Sequence, residues 1–340
     1  MKKPFPASKI RGKLPLIAIT FVAAYVLNTS ATAQNVSNKA ESVAVWPTKP
    51  VRILVGFPGG STPDMAARTL AEPLSKILGQ SVIVENKPGA SGNIAADQVA
   101  KATDDHTLGV VINGNLTSAR LLNPKLPYDP TRDFTPISLL TTAPLVLVAS
   151  SSQASGSAFF DAARVNGDKW NYGSVGSGSV GHLGMELLKS RAGDIKAVHI
   201  PYQGNPQVVT ALLGGQIQMA LVPPGIALPQ IRAGKLKAIG LTSGRSPLAT
   251  DIPPLADADI RNFNLEVWTA LVGPANLSKA AQARLNAEVS RIIRDADTRQ
   301  KLFNQSWQAV GTSPEGLVSR MKSETAIMEG IITMRNIRIE

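Results

Sequence analysis

From residue 51 onward, short apolar runs alternate with longer segments whose apolar positions recur at helical spacing. VRILVGF (51–57) is a β-rich run, and in the segment after it, 63–78, Met65, Leu70, Leu74, Ile77 and Leu78 fall near a 3.6-residue period. SVIVE (81–85) and TLGVVI (107–112) predict two more strands, with a helix over 92–101 between them. This βαβαβ order predicts a parallel sheet covered by helices. Four prolines within residues 123–136 predict an irregular excursion, and LVLVA (145–149) a further buried strand.

A second series begins at residue 170. Strands over 170–174, 196–200, 217–222 and 237–241 alternate with helices over 181–191, 206–213 and 226–233. Residues 242–260, rich in Pro and Asp, read as a connection. A strand near 267–272 and two long amphipathic helices follow. The first, 278–296, gathers Leu285, Val289, Ile292 and Ile293 on one face. The second opens at Ser313-Pro314, an N-cap followed by proline at the first helical position. The expected fold is α/β, with two Rossmann-like lobes and the second inserted in the first. Lobe 1 takes residues 46–145 and 266–340, and lobe 2 takes 146–265.

The N-terminus breaks this rhythm. Lys2, Lys3, Lys9, Arg11 and Lys13 precede an apolar stretch, LPLIAITFVAAYVL (14–27), and Ala31-Thr32-Ala33 supplies a small-residue cleavage pattern. Residues 1–33 therefore read as a signal peptide cut after Ala33, and 34–45 as a polar leader. The apolar stretch is short of the ~20 residues a membrane-spanning helix needs. The formal net charge of +11 drops to +6 without these five basic residues, and the remaining excess is scattered. That pattern excludes a nucleic-acid footprint. The chain has no cysteine, so disulfides, thiolate metal sites and a cysteine nucleophile are all excluded. The expectation is a periplasmic, monomeric protein.

Two glycine-rich turns carry the chemistry. In NYGSVGSGSVGHLGMELL (171–188) a strand runs into Gly176, Gly178 and Gly181, spaced G-x-G-x-x-G, and then into a helix. Such a turn aims backbone N–H groups at one point, backed by the helix dipole, and Ser174, Ser177 and Ser179 add hydroxyls. A dinucleotide site also needs an acid at the end of the next strand. That strand, KAVHIPYQG, ends in Pro201-Tyr202, so no nucleotide cofactor is expected. The second turn, GFPGGSTPD (56–64), places Gly59, Gly60, Ser61 and Thr62 at a helix start, with Asp64 able to cap and order it. Two anion-ready turns, one per lobe, suggest one shared cleft.

Catalytic patterns are poor. No serine sits in G-x-S-x-G, and His106, His182 and His199 are scattered without cysteines, a weak metal set. His182 is expected to line or cap its turn rather than act as a base. Trp46, Trp170, Trp268 and Trp307 are expected to pack. An exported α/β hydrolase using Ser and His182 remains the alternative.

The stretches WPTKPVRILVGFPGGSTPDMAAR (46–68), LGQSVIVENKPGASGNIAADQVAKA (78–102), LPYDPTRDFTPI (126–137), the turn at 171–189, HIPYQG (199–204), LLGGQIQ (212–218) and AGKLKAIGLTS (233–243) run in order along the chain. With them the chain resembles the Bug-type extracytoplasmic solute receptors, the substrate-binding proteins of tripartite tricarboxylate transporters. The resemblance implies a hinged type II periplasmic binding protein that takes a small di- or tricarboxylic or aromatic acid, without catalysis, cofactor or metal. It implies partners among membrane transporter subunits or a sensor kinase. It places ligand contacts at Phe57, Pro58, Gly59, Gly60 and Asp64 in lobe 1. In lobe 2 it places them at Ser174, Gly176, Ser177, Gly178, Ser179 and His182, with Tyr202 and Gly204 beside them. Three places depart from the family pattern: FPGGSTPD in the first turn, PPLADAD (253–259), and Val222-Pro223-Pro224, where an Asp is usual. The last loses a carboxylate that would meet a ligand amine, which disfavours amino acids.

Overall fold

The structure, a computed structural model, describes residues 46–338. The expected signal peptide (1–33) and leader (34–45) lie outside the described residues. The chain runs through β1 (Val51–Val55), α1 (Thr62–Leu78), β2 (Val82–Asn86), α2 (Asn93–Ala100), β3 (Thr107–Ile112), two short turns α3 (Asn113–Leu116) and α4 (Ser118–Leu122), and β4 (Phe134–Pro144). It continues through β5 (Val146–Ser150), α5 (Gly156–Asn166), β6 (Asn171–Ser174), α6 (Val180–Arg191), β7 (Val198–Pro201), α7 (Asn205–Leu213), β8 (Met219–Val222), α8 (Pro224–Arg232) and β9 (Leu236–Leu241). It closes with β10 (Glu266–Pro274), α9 (Lys279–Arg294), α10 (Ala296–Asn304), β11 (Gln308–Ala309) and α11 (Pro314–Arg335).

These strands make two sheets, ordered β11-β4-β10-β3-β1-β2 and β7-β6-β8-β5-β9. The three strands of the βαβαβ order are parallel as expected, but each sheet as a whole is mixed. β1 pairs in parallel with β2 and β3, and β6 with β7 and β8, but β4, β5 and β10 pair antiparallel to their neighbours. The physical reason is the connection. A parallel neighbour requires a crossover, whereas β10 returns from the other sheet and can lie directly beside β3 and β4. The irregular excursion is corrected in part as well, since its last residues open β4. Pro136 faces Val272 beside a register shift, a place where a missing N–H is tolerated. The helix α5 passed unrecognised in the sequence; it buries Phe159, Phe160 and Ala163.

Each central strand buries both faces. Ile53 and Val55 pack with Leu74 of α1 and Leu285, Val289 and Ile292 of α9. Leu54, on the other side of β1, packs with Val99 of α2, and the same layer holds Trp268 and Leu317. The helix starts follow their sequence signals: Ser278 and Ser313 each accept a backbone N–H, from Ala281 (3.1 Å) and Gly316 (3.2 Å).

A single residue, Leu145, separates β4 of the first sheet from β5 of the second, and the return crossing lies at Leu265. Thr242 ties the two crossings. Its Oγ1 accepts the Leu145 N–H (2.8 Å) and donates to Leu265 O (2.6 Å), and its N–H reaches Leu145 O (2.9 Å). The C-terminal α11 buttresses this region through buried Glu324, which accepts from Asn113 Nδ2 (2.6 Å) and Trp268 Nε1 (2.5 Å). Burial pushes the Glu324 carboxyl above its ordinary value, against the pull of those donors and of Arg320.

The loop after β1 is held by close backbone packing. A Cβ on Gly56 would lie 2.4 Å from Gly92 Cα and 2.6 Å from Gly92 O, whereas one on Gly59 would meet nothing within 4 Å. Gly56→Ala is therefore expected to cost about 1–3 kcal/mol, and Gly59→Ala less than about 0.5 kcal/mol. Urea unfolding measures both, and equal midpoints would contradict this packing.

Candidate ligand cleft between the two sheets

Helix starts from both sheets meet at one cavity. Ser61, Thr62 and Pro63 at the start of α1, Val180 and Gly181 at the start of α6, and Asn205 at the start of α7 all line it. The first N–H groups of a helix have no partner within the helix, and each start carries partial positive charge. The Ser61 side chain makes no capping bond; its buried Oγ has no hydrogen-bond partner. The rest of the wall is apolar and includes Phe57, Ile112, Leu145 and Leu221. No Lys, Arg, Asp or Glu lines the cavity, whose free volume is about 30 Å³. That is room for one or two waters, so a larger guest requires the sheets to part.

The turns from the two sheets touch across this cleft. Asn205 Nδ2 donates to Thr62 Oγ1 (3.2 Å), and Ser118 Oγ donates to Gly178 O (2.5 Å). Gly204 packs against Pro58, and a Cβ on Gly176 would fall 2.0 Å from Ser91 Oγ. Gly176 and Gly178 have φ of +117° and +82°, a region that favours glycine.

Of the expected contact residues, Phe57 lines the cavity, while Gly59 and Gly60 are exposed to solvent. Asp64 lies behind the first turn, almost fully buried, and serves to order it. Its carboxylate accepts from Gly60 N–H (2.9 Å), Arg68 Nε (3.0 Å) and Asn86 Nδ2 (2.8 Å), and Asn86 also donates to Phe57 O (2.9 Å). Burial opposes the Asp64 charge, but Arg68, Asn86 and Gly60 outweigh it and hold the carboxyl below its ordinary value.

The second turn is likewise braced from within. Ser179 Oγ donates to Gly176 O (2.7 Å) and accepts from His182 N–H (3.2 Å), while His182 Nδ1 accepts from Gly178 N–H (3.2 Å). Ser174 Oγ accepts from Gly176 N–H (3.1 Å) and sits 2.7 Å from His199 Nε2. His182 and His199 stack with ring centroids 4.1 Å apart, and Tyr172 lies against His199 at 5.0 Å. Burial lowers the His182 pKa to about 4, against Glu186, and the His199 pKa to about 3, with His182 and Lys189 adding to the effect. Gly176, Ser177 and Tyr202 line a separate outer groove of about 390 Å³, facing Ser91 and Asn123.

Sequence reasoning missed Ser61, Thr62 and Asn205 as cavity-lining groups, and Ser91 and Ser118 as contacts across the cleft. Ser61 and Thr62 lay inside the quoted turn, one step past the glycines; Ser91 and Ser118 carry no local signal. Among the described residues, no group of three or more His, Cys, Asp or Glu is placed to hold a metal ion.

The family model of the tripartite tricarboxylate transporter family receptor matches residues 66–337. The chain belongs to this receptor family. A protein from the tcbD–tcbE intergenic region of Pseudomonas sp. strain P51 is 33% identical over 301 residues, 87% of this chain and 89% of that one. Among solved structures, MatC from Rhodopseudomonas palustris with bound malate is 31% identical with a TM-score of 0.79, covering 84% of this chain and 99% of MatC. An R. palustris protein with adipate is 29% identical with a TM-score of 0.83, covering 86% of this chain and 99% of that one. The receptor is thus a two-lobed periplasmic solute-binding protein and not an enzyme. The hydrolase alternative is corrected accordingly: His182 takes a hydrogen bond from the backbone and packs on His199, so it has no free nitrogen lone pair to activate a serine.

The histidine pair sets a pH dependence. An unfolded histidine titrates near 6.5, and these two titrate at about 4 and about 3 in the fold. Between those values the unfolded chain binds more protons, so the contribution to stability is complete above about pH 6.5 and is lost as pH falls toward 3. The receptor's unfolding free energy is expected to decline from pH 6.5 to 4.5, and a His182→Asn/His199→Asn double variant to decline less steeply. Parallel slopes in urea titrations would exclude the pair as the cause.

Proposed function

We propose that the receptor is exported on residues 1–33, cut after Ala33, and that it captures a small organic acid in the cavity between its lobes. Lobe 1 comprises 46–145 and 266–340, and lobe 2 comprises 146–265. The lobes close about the crossings at Leu145, Thr242 and Leu265, and the loaded protein docks as a monomer on transporter subunits in the membrane or on a sensor kinase. The observation that carries this reading is the convergence of the α1, α6 and α7 starts on a cavity that holds the unpartnered Ser61 hydroxyl and no charged side chain. Neutral donors of this kind suit a carboxylate, whose charge strengthens each hydrogen bond it accepts. The relatives bound to malate and adipate support the same ligand chemistry.

In this reading the carboxylate takes its bonds from Ser61, Thr62, Val180, Gly181 and Asn205. Asp64, Ser174, Ser179 and His182 hold the two turns in shape, Phe57 adds apolar wall, and Gly176 and Gly178 let the turns approach. Pro58, Gly204, Ser177 and Tyr202 belong to the rim. Closure is a shift toward a state the ligand binds better, so every contact unique to the closed arrangement contributes to affinity.

Thermal-shift and calorimetric titration with benzoate, 4-methylpentanoate, succinate, malate, adipate and citrate tests the proposal. At least one acid is expected to raise the melting temperature by several degrees and to be recovered chemically unchanged. With that acid, Ser118→Ala and Asn205→Ala should each weaken binding about 5–10-fold, on the order of one hydrogen bond. Turnover of an acid or its ester, or silence toward the whole panel, would remove the proposal.

A further inference from the structure

Prolines occupy the helix starts at this cavity. α1 carries Pro63, α7 carries Pro206, and α8 begins Pro223-Pro224. Proline supplies no N–H, so these starts offer fewer donors than their number suggests. In α6 the His182 N–H is already given to Ser179 Oγ. The backbone donors left on cavity-lining residues in the first helical turns are those of Thr62, Val180, Gly181 and Asn205, with the Ser61 hydroxyl beside them. A carboxylate offers about four acceptor sites. The Asn205 side-chain amide is engaged with Thr62 Oγ1 across the cleft (3.2 Å), so one carboxylate takes all but one of these five donors.

The remaining wall offers nothing to a second charge. Ile112, Leu145, Val175, Leu221, Pro223 and Val267 line it, and Leu221 and Pro223 flank the end of β8. A buried carboxylate without paired donors is strongly disfavoured, whereas a ring or branched chain gains by leaving water.

Building on the receptor reading above, we infer that its ligand class is the monocarboxylate with a compact apolar body, an aromatic or branched aliphatic acid, and that the cavity selects against C4 dicarboxylates and citrate. The single polar end fixes the carboxylate, and the apolar wall encloses the body as the lobes close.

The test uses the wild-type chain, expressed with its own N-terminal segment, and isothermal titration with five probes. The better of benzoate and 4-methylpentanoate is expected to bind at least tenfold more tightly than succinate, malate or citrate. If any of the three polyacids binds within tenfold of that acid, or more tightly, the inference falls and the receptor reading stands. If none of the five acids binds but adipate does, the inference also falls alone. Silence toward all six overturns both.

Discussion

The geometry of this receptor depends on the pairing of Leu145 with Thr242. With a single residue between β4 and β5, the two sheets cannot be placed independently. The backbone and hydroxyl of Thr242 then bind the outgoing and returning crossings to each other. The strands that end near this point deliver α1 from one sheet and α6 and α7 from the other. A site built from helix starts needs such an arrangement, because the field of a helix terminus falls off within its first turn.

Charge is present near the cleft but kept behind its lining. Asp64 is ion-paired with Arg68, accepts from the Asn86 amide, and spends its remaining hydrogen-bonding capacity on the turn that carries Ser61. Glu186 is similarly engaged, accepting from Tyr172 Oη (2.5 Å) and Lys189 Nζ (2.7 Å), while the histidines above it stay neutral. An arginine in the cavity would bind an acid more strongly, but it would carry its own desolvation cost in the closed form. Dipoles fixed by the fold avoid that cost.

Much of the fold was legible because its period was clean: β1, α1, α9 and the caps at Ser278 and Ser313 lie where spacing and capping residues put them. β4 was hidden by prolines that look like breakers until a register shift accommodates Pro136. Strand direction was not legible, since it depends on where β10 returns. The glycines correctly marked both turns, yet at the first turn the cavity is lined by the residues just after them. Gly59 and Gly60 turn the chain at the surface, and only then do Ser61 and Thr62 enter the helix facing the cleft. Contacts such as Ser118 to Gly178 join residues 60 positions apart and leave no trace in local pattern.

Leu145 has two duties at once, as wall of the cavity and as the link between sheets. Val267, just past the return crossing, shares the first of them. A change of side chain at Leu145 therefore acts on the cavity wall and on the link between the sheets together.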